Sequence, residues 1–160
     1  RGLVGSEMCI RGRFNTRWET IQEKRTFQTA FKKHRCLVPI SGWYEWKNVS
    51  DEKQPYFFYK KDKLLKAAGL YWLRSSGDIE FSIITKEAED ELLTIHNRTP
   101  LILNNKSQNL WTSDTGTDTL YPAISGQKNL TVNFHRVSKS VNNPKNTNSS
   151  LINEYTEVPF

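Results

Sequence analysis

Three short stretches hold residues whose types and spacing could do chemistry. In GWYEWK, residues 42–47, Glu45 stands among Trp43, Tyr44 and Trp46. A strand alternates its side chains, so Trp43, Glu45 and Lys47 would share one face and Tyr44 and Trp46 the other. A carboxylate packed among rings ionises at a cost, which raises its pKa and makes it a usable proton carrier. The ordinary alternative is a carboxylate paired with a nearby Arg or Lys. In TIHNRTP, residues 94–100, His96 can exchange a proton near neutral pH, and Arg98 two residues on can hold an anion. A histidine capping a helix C-terminus explains the same residue equally well. In FNTRWET, residues 14–20, Asn15, Arg17 and Glu19 alternate, so an extended backbone would aim an amide, a guanidinium and a carboxylate the same way. That trio suits a phosphate or a carbonyl, and it also suits a solvated strand edge.

These residues need elements to position them. The opening RGLVGSEMCIRGRFNTRW, rich in Gly and Arg, reads as loop with one short strand. Between Glu19 and Arg35, the spacing of Phe27, Ala30 and Phe31 predicts a helix over the second half. CLVPISGWYEWK (36–47) reads as a strand interrupted at Pro39 and at Ser41-Gly42. PYFFYKK (55–61), LLKAAGLYWLR (64–74) and IEFSIIT (79–85) read as strands, and KEAEDELLTIH (86–96) as a helix. LILNN (101–105) is an expected strand, SQNLW (107–111) and TDTLYPAI (117–124) short helices, and LTVNFHRV (130–137) a late strand. Residues 138–160, polar and Asn-rich, are expected to run over the surface. Several strands with few helices predict an α+β fold, a curved sheet or small barrel with short peripheral helices, in a single domain over residues 1–160.

Composition narrows the function classes. With 23 Lys and Arg against 17 Asp and Glu, the net charge of +6 suits a polyanion partner. Arg11, Arg13, Arg17, Lys24-Arg25 and Lys32-Lys33-His34-Arg35 could line a groove for a single strand, with Trp18, Trp43 and Trp46 available to stack on bases. Such basic runs are more often plain solvated faces. His34 and His135, in basic surroundings, read as surface or phosphate-contacting residues. Two cysteines, Cys9 and Cys36, make no disulfide framework and favour a reducing compartment. No metal-ligand spacing and neither glycine-rich phosphate pattern occurs, so no metal and no nucleotide cofactor is expected. No apolar run suggests a membrane span or a secretory leader.

The blocks together are more specific than any one of them. FNTRWETIQEKRTF, RCLVPISGWYEWK, KQPYFFY with AAGLYW, FSIITKEAEDELLTIHNRTP and VSKSVNNPKN follow one another in an order and spacing that resemble the SRAP family, the SOS-response-associated peptidase or HMCES-like proteins. The resemblance implies a β-rich fold with a cationic cleft that recognises abasic sites in single-stranded DNA. It implies a covalent protein–DNA crosslink, in which the amine and thiol of an N-terminal cysteine close a thiazolidine ring with the sugar aldehyde. It further assigns Asn15 to positioning that ring or amine, Glu45 to acid/base work, and His96 to sugar-ring opening and crosslink reversal. Arg17, Arg25 and Arg98 fall where the family contacts DNA phosphates, and Trp46 falls beside the lesion.

The chain also departs from the family pattern. The family opens Met-Cys-Gly-Arg well ahead of the Asn block, whereas Asn15 comes almost at once here, and the expected chain lacks that opening segment. Cys9, within MCIRGRF, echoes it and is a candidate nucleophile if Met8 is the true start, but with residues preceding Met8 it would have a thiol and no free α-amine. Cys36, inside an apolar strand, is expected in the core. Strands as apolar as IEFSIIT and LLKAAGLYW expect a covering partner, which favours a missing segment over a lost activity. The resulting expectation is a monomeric DNA-damage-response protein that engages abasic single-stranded DNA. It would act in the cytoplasm at the nucleoid, or in the nucleus of a eukaryote. The competing classes are a single-strand-binding module without a nucleophile and a proteolytic enzyme.

Overall fold

The structure is a computed structural model that describes residues 11–12, 15–127 and 130–156. Among these residues the strands are β1 (Arg11–Gly12), β2 (Thr16–Arg17), β3 (Arg35–Ile40), β4 (Gly42–Val49), β5 (Glu52–Tyr59), β6 (Leu65–Leu73), β7 (Ile79–Glu87), β8 (Arg98–Pro100) and β9 (Asn133–Arg136). The helices are α1 (Arg25–Lys33), α2 (Asp90–Leu93), α3 (Asn105–Thr112) and α4 (Thr117–Ser125), with 3₁₀ turns at Trp18–Thr20, Lys139–Asn142 and Ser149–Ile152. One sheet runs β1-β7-β6-β3, with β2 and β8 also on β7; a second, of three strands, runs β4-β5-β9. The strand-rich mixed class expected from the sequence holds, with open sheets rather than a barrel.

The chain divides into two compact units. The first comprises residues 1–39, 66–87 and 99–130, the second residues 40–65, 88–98 and 131–160.

The first unit is built on an aromatic core. The α1 stripe buries Ala30 and Phe31 and half-buries Phe27. Trp18, 5% exposed, meets Phe31 edge-on at 5.8 Å and stacks on Tyr121 at 4.6 Å, while its Nε1 donates to Ser125 Oγ. Trp18 is therefore a core residue and not a platform for bases. Arg35 is corrected in the same way. Its guanidinium donates to the carbonyls of Phe31, Trp111, Ser113 and Thr115, binding the end of α1 to the end of α3. Burial lowers its pKa, the expected direction for a cation taken partly out of water. Cys36 lies half-buried behind Gly69, and burial pushes its thiol up to about 11, so it is a packing group and a poor nucleophile.

Two expected elements take different forms. The helix over 86–96 shrinks to one turn, because Lys86 and Glu87 complete β7 and Asp90 sits at φ 51, outside helical space. The strand over 101–105 moves back to Arg98–Pro100. Leu101, Ile102 and Leu103 are all buried in succession, which alternation forbids in a one-sided strand. Instead the backbone threads between β6 and β7: Leu101 N–H donates to Ile84 O, Ala68 N–H to Leu101 O, and Leu103 N–H to Lys66 O.

The second unit rests on the β4–β5 hairpin. Val49 pairs with Glu52, so Ser50 and Asp51 form a two-residue turn, with Ser50 at φ 54. That turn fixes the register along the whole ladder, from Val49–Glu52 to Gly42–Tyr59. On one face Trp43 stacks on Phe58 and Phe58 meets Phe134 of β9; on the other Tyr44 packs on Phe57, which stacks on Tyr59. Gly42 allows this closeness. A Cβ there would lie 2.3 Å from Phe58 O and 2.5 Å from the Phe57 ring. We expect Gly42→Ala to lose about 1–3 kcal/mol in denaturant unfolding, as overpacking does. Lys106→Ala, on the exposed side of α3, should stay within about 0.5 kcal/mol.

Candidate functional site

The hairpin register places Glu45 opposite Tyr56 and Trp46 opposite Pro55. Alternation puts Trp43, Glu45 and Lys47 on one face of β4 and Tyr44, Trp46 and Asn48 on the other. Among the described residues β4 is an edge strand of its sheet, and around such an edge side chains from both faces can meet. A concavity of about 400 Å³ forms there, lined by Glu45, Trp46, Asn48, Lys53, His96 and Asn142. Sequence reading placed the rings and the carboxylate in one stretch; the meeting of opposite faces at one edge is a tertiary result.

His96 reaches this concavity from the loop between β7 and β8. Buried Ala88 and Ile95 pin that loop, and the Ala88 N–H donates to Asn97 O across its mouth. Just past the single turn of α2, the His96 N–H donates to Leu92 O. The imidazole Nδ1 then lies 3.3 Å from Glu45 Oε2. The same nitrogen is 3.2 Å from the Arg98 N–H that can donate to it, and 3.2 Å from the Arg98 carbonyl that can accept from it. Nδ1 can thus carry a proton, donating to carboxylate or carbonyl, or be bare, accepting the Arg98 N–H.

Burial, which leaves the Glu45 side chain 20% exposed, raises its pKa, and the His96 charge acts in the opposite sense. The carboxyl is held nearer to its neutral form than an exposed glutamate, beside an imidazole that can take or return its proton. Its partner is a histidine, not the Arg or Lys of the ordinary alternative. His96 is likewise more than a helix cap, since one helical turn has little dipole. Trp46 completes the site; its Nε1 donates to Asn142 Oδ1 at 2.8 Å.

The other expected site residues lie elsewhere along the chain. Asn15 and Arg17 are exposed on either side of fully buried Thr16 in the first unit. Glu19, also exposed, sits in the 3₁₀ turn, where its Oε1 accepts the Glu87 N–H. It is a backbone anchor, so the expected trio reduces to Asn15 and Arg17. Arg25 is exposed at the start of α1, and Arg98 is half-buried in the second unit. His34 packs its ring on Tyr71, and His135 bonds Ile152 O through Nε2. Cys9 and Arg13 fall outside the described residues, and only the backbone of Arg11 is described.

Sequence reading missed Asn48, Lys53 and Asn142, polar residues in polar stretches that only the fold brings to Glu45. A second concavity, of about 610 Å³, lies between the hairpin and the segment after β9. Of its cations, Arg136 donates to Gln54 Oε1 and Lys139 pairs with Glu52. It holds no acid–base pair, so the smaller concavity is the chemical one. Among the described residues no cluster of His, Cys, Asp or Glu suits a metal ion, and no helix is long and apolar enough to cross a membrane.

Residues 6–144 match the family model described as SOS response associated peptidase (SRAP). The chain is 32% identical over 145 residues to the abasic site processing protein YedK of Escherichia coli, covering 86% of this chain and 65% of that protein. It is 31% identical over 151 residues to the abasic site processing protein YMR114C of Saccharomyces cerevisiae, covering 87% and 40%. For the abasic site processing protein HMCES of Xenopus tropicalis the identity is 31% over 159 residues, covering 82% and 47%. A crystal structure of a Bacteroides thetaiotaomicron protein superposes with a TM-score of 0.79 at 25% identity, covering 89% of this chain and 66% of that one. The chain spans between 40% and 65% of the length of these three curated relatives. The blocks that resemble the family, the strand-rich fold and the match over most of the sequence agree: the chain belongs to the SOS response associated peptidase (SRAP) family.

Proposed function

We propose that this chain takes part in abasic-site processing, binding single-stranded DNA at a missing base and using Glu45 and His96 to move protons there. The observation that carries the reading is the 3.3 Å approach of His96 Nδ1 to a carboxylate whose pKa burial raises, in a concavity that the Trp46 indole also lines. An abasic sugar interconverts between a closed hemiacetal and an open aldehyde. Opening it moves a proton from the anomeric hydroxyl to the ring oxygen, and a carboxyl–imidazole pair can do both halves of that transfer. An amine that attacks the aldehyde carbon loses one proton to form a carbinolamine, whose hydroxyl is then protonated and leaves as water while the nitrogen forms a second bond to that carbon; reversal runs the same proton transfers backwards. The concavity has room for a sugar without its base, and the Trp46 ring offers a stacking surface.

In this reading Arg17, Arg25 and Arg98 hold phosphates and Asn15 orients the attacking group. The net charge of +6 supplies the long-range attraction. The relatives named for abasic site processing support the substrate class.

The test is to mix the protein with abasic and with intact single-stranded DNA and run a denaturing gel beside a salt-dependent binding titration. A band that survives denaturation on the abasic strand alone supports covalent engagement. Salt-sensitive binding without such a band points to a binding module, and equal affinity for both strands overturns the reading. If covalent engagement occurs, Glu45→Gln and His96→Ala should slow crosslink formation or reversal by about 10²-fold or more, the scale of a lost general acid or base, with little change in affinity. Arg17→Ala should weaken binding and lower the salt slope by about one.

The carboxyl also predicts a pH dependence of stability. Its folded pKa lies above the ordinary glutamate value, so the folded protein retains this proton where the unfolded chain has lost it. The resulting contribution to stability is present below the ordinary value and is lost as pH rises through the raised one. Glu45→Gln cannot ionise and removes that loss. Its denaturation midpoint should gain on the wild type between pH 4 and pH 8, and a constant difference would contradict the burial argument.

A further inference from the structure

The closing block VSKSVNNPKN has no role in the chemistry above, yet its geometry leads back to the site. Val137 is fully buried, and its N–H donates to Pro55 O at 3.1 Å while its carbonyl accepts the Gln54 Nε2 at 3.0 Å. The segment is thus stitched to β5 on both sides of one residue. The 3₁₀ turn follows, capped by Ser138 Oγ accepting the Ser140 N–H. Lys139 pairs with Glu52 at the start of β5, and Asn146 Nδ2 donates to Ser140 O. Tied at its entry, middle and exit, the turn delivers Asn142 Oδ1 to Trp46 Nε1 at 2.8 Å. The loop closes on itself, because Trp46 is the cross-strand partner of Pro55, the residue that anchors Val137.

We infer that Asn142 is a positioning residue: it holds the plane of the Trp46 indole as a fixed wall of the Glu45–His96 concavity, and the closing block is the bracket that places it. This rests on the proposed function only for what the wall is used to bind. An indole has one N–H donor, and without a fixed acceptor a part-exposed ring turns about its two side-chain torsions. A ring that must be ordered on binding costs affinity that a held ring does not. The partner that profits is a flat or sugar-like group lying against the ring beside Glu45, as the missing-base site does.

The experiment has two arms. In 15N-labelled protein, the indole N–H of Trp46 is assigned by its disappearance in Trp46→Phe. Asn142→Leu should move that resonance and speed its exchange with water, while Asn142→Asp, which keeps the acceptor oxygen, should restore slow exchange. In the second arm, affinity for abasic single-stranded DNA should fall about fivefold in Asn142→Leu, the value of one ordinary hydrogen bond. The same substitution in the Trp46→Phe background should cost nothing further, since Phe has no donor. An unchanged indole signal in Asn142→Leu overturns the inference, as does an equal loss of affinity in both backgrounds, which would mean that Asn142 touches the DNA itself. A wild-type protein that does not distinguish abasic from intact strands overturns the functional reading instead, and the indole arm still decides whether Asn142 holds the ring.

Discussion

The register of the β4–β5 hairpin is the constraint on which the site depends. A strand has a side-chain period of two, so a slip of one residue would carry Glu45 to the Trp46 face and Trp46 to the Glu45 face. Three features oppose that slip. The two-residue turn at Ser50-Asp51 fixes the count, Gly42 admits Phe57 and Phe58 at a distance no side chain tolerates, and β9 pairs Arg136 with Tyr56 and Phe134 with Phe58. Cross-strand ring contacts on both faces, Trp43 on Phe58 and Tyr44 on Phe57, reward the same register. The cluster of aromatic residues around Glu45 thus serves the hairpin first and the carboxylate second.

Given that frame, the chemistry follows from a competition between burial and pairing. Taking Glu45 partly out of water opposes its charge, and the His96 imidazole partly restores it. A fixed cation in that place would have made Glu45 a permanent anion with nothing to exchange. An imidazole leaves the proton movable, and the Arg98 backbone offers Nδ1 both a donor and an acceptor, so either protonation state of that nitrogen finds a partner. The cost of an unsatisfied polar atom therefore does not dictate which group holds the proton.

Several residues that looked functional along the chain serve the fold, and the reason is geometric. Trp18 and Arg35 lie in basic, aromatic surroundings that a nucleic-acid surface would also show, yet Trp18 closes the core and Arg35 ties two helix ends together through backbone carbonyls. A guanidinium with five donors can satisfy helix C-termini as readily as phosphates. Composition cannot separate the two uses, because both need the same donor.

What the sequence determined by itself was what depends on neighbours along the chain. The alternation through β4 and β7, the apolar stripe of α1, the break between β3 and β4 at Ser41-Gly42 and the ring-flanked carboxylate are all local patterns, and the ordered blocks pointed to the family. Where neighbours along the chain were not the deciding contacts, the reading shifted. Leu101–Leu103 looked like a strand but threads between β6 and β7, and the helix over 86–96 gave way to one turn and a pinned loop. Only the tertiary structure decided that His96 meets Glu45, 51 positions away along the chain, and that Asn142 meets Trp46. Hydrogen bonds and proton transfers act over about 3 Å, and no local periodicity encodes which distant side chains folding brings within that reach.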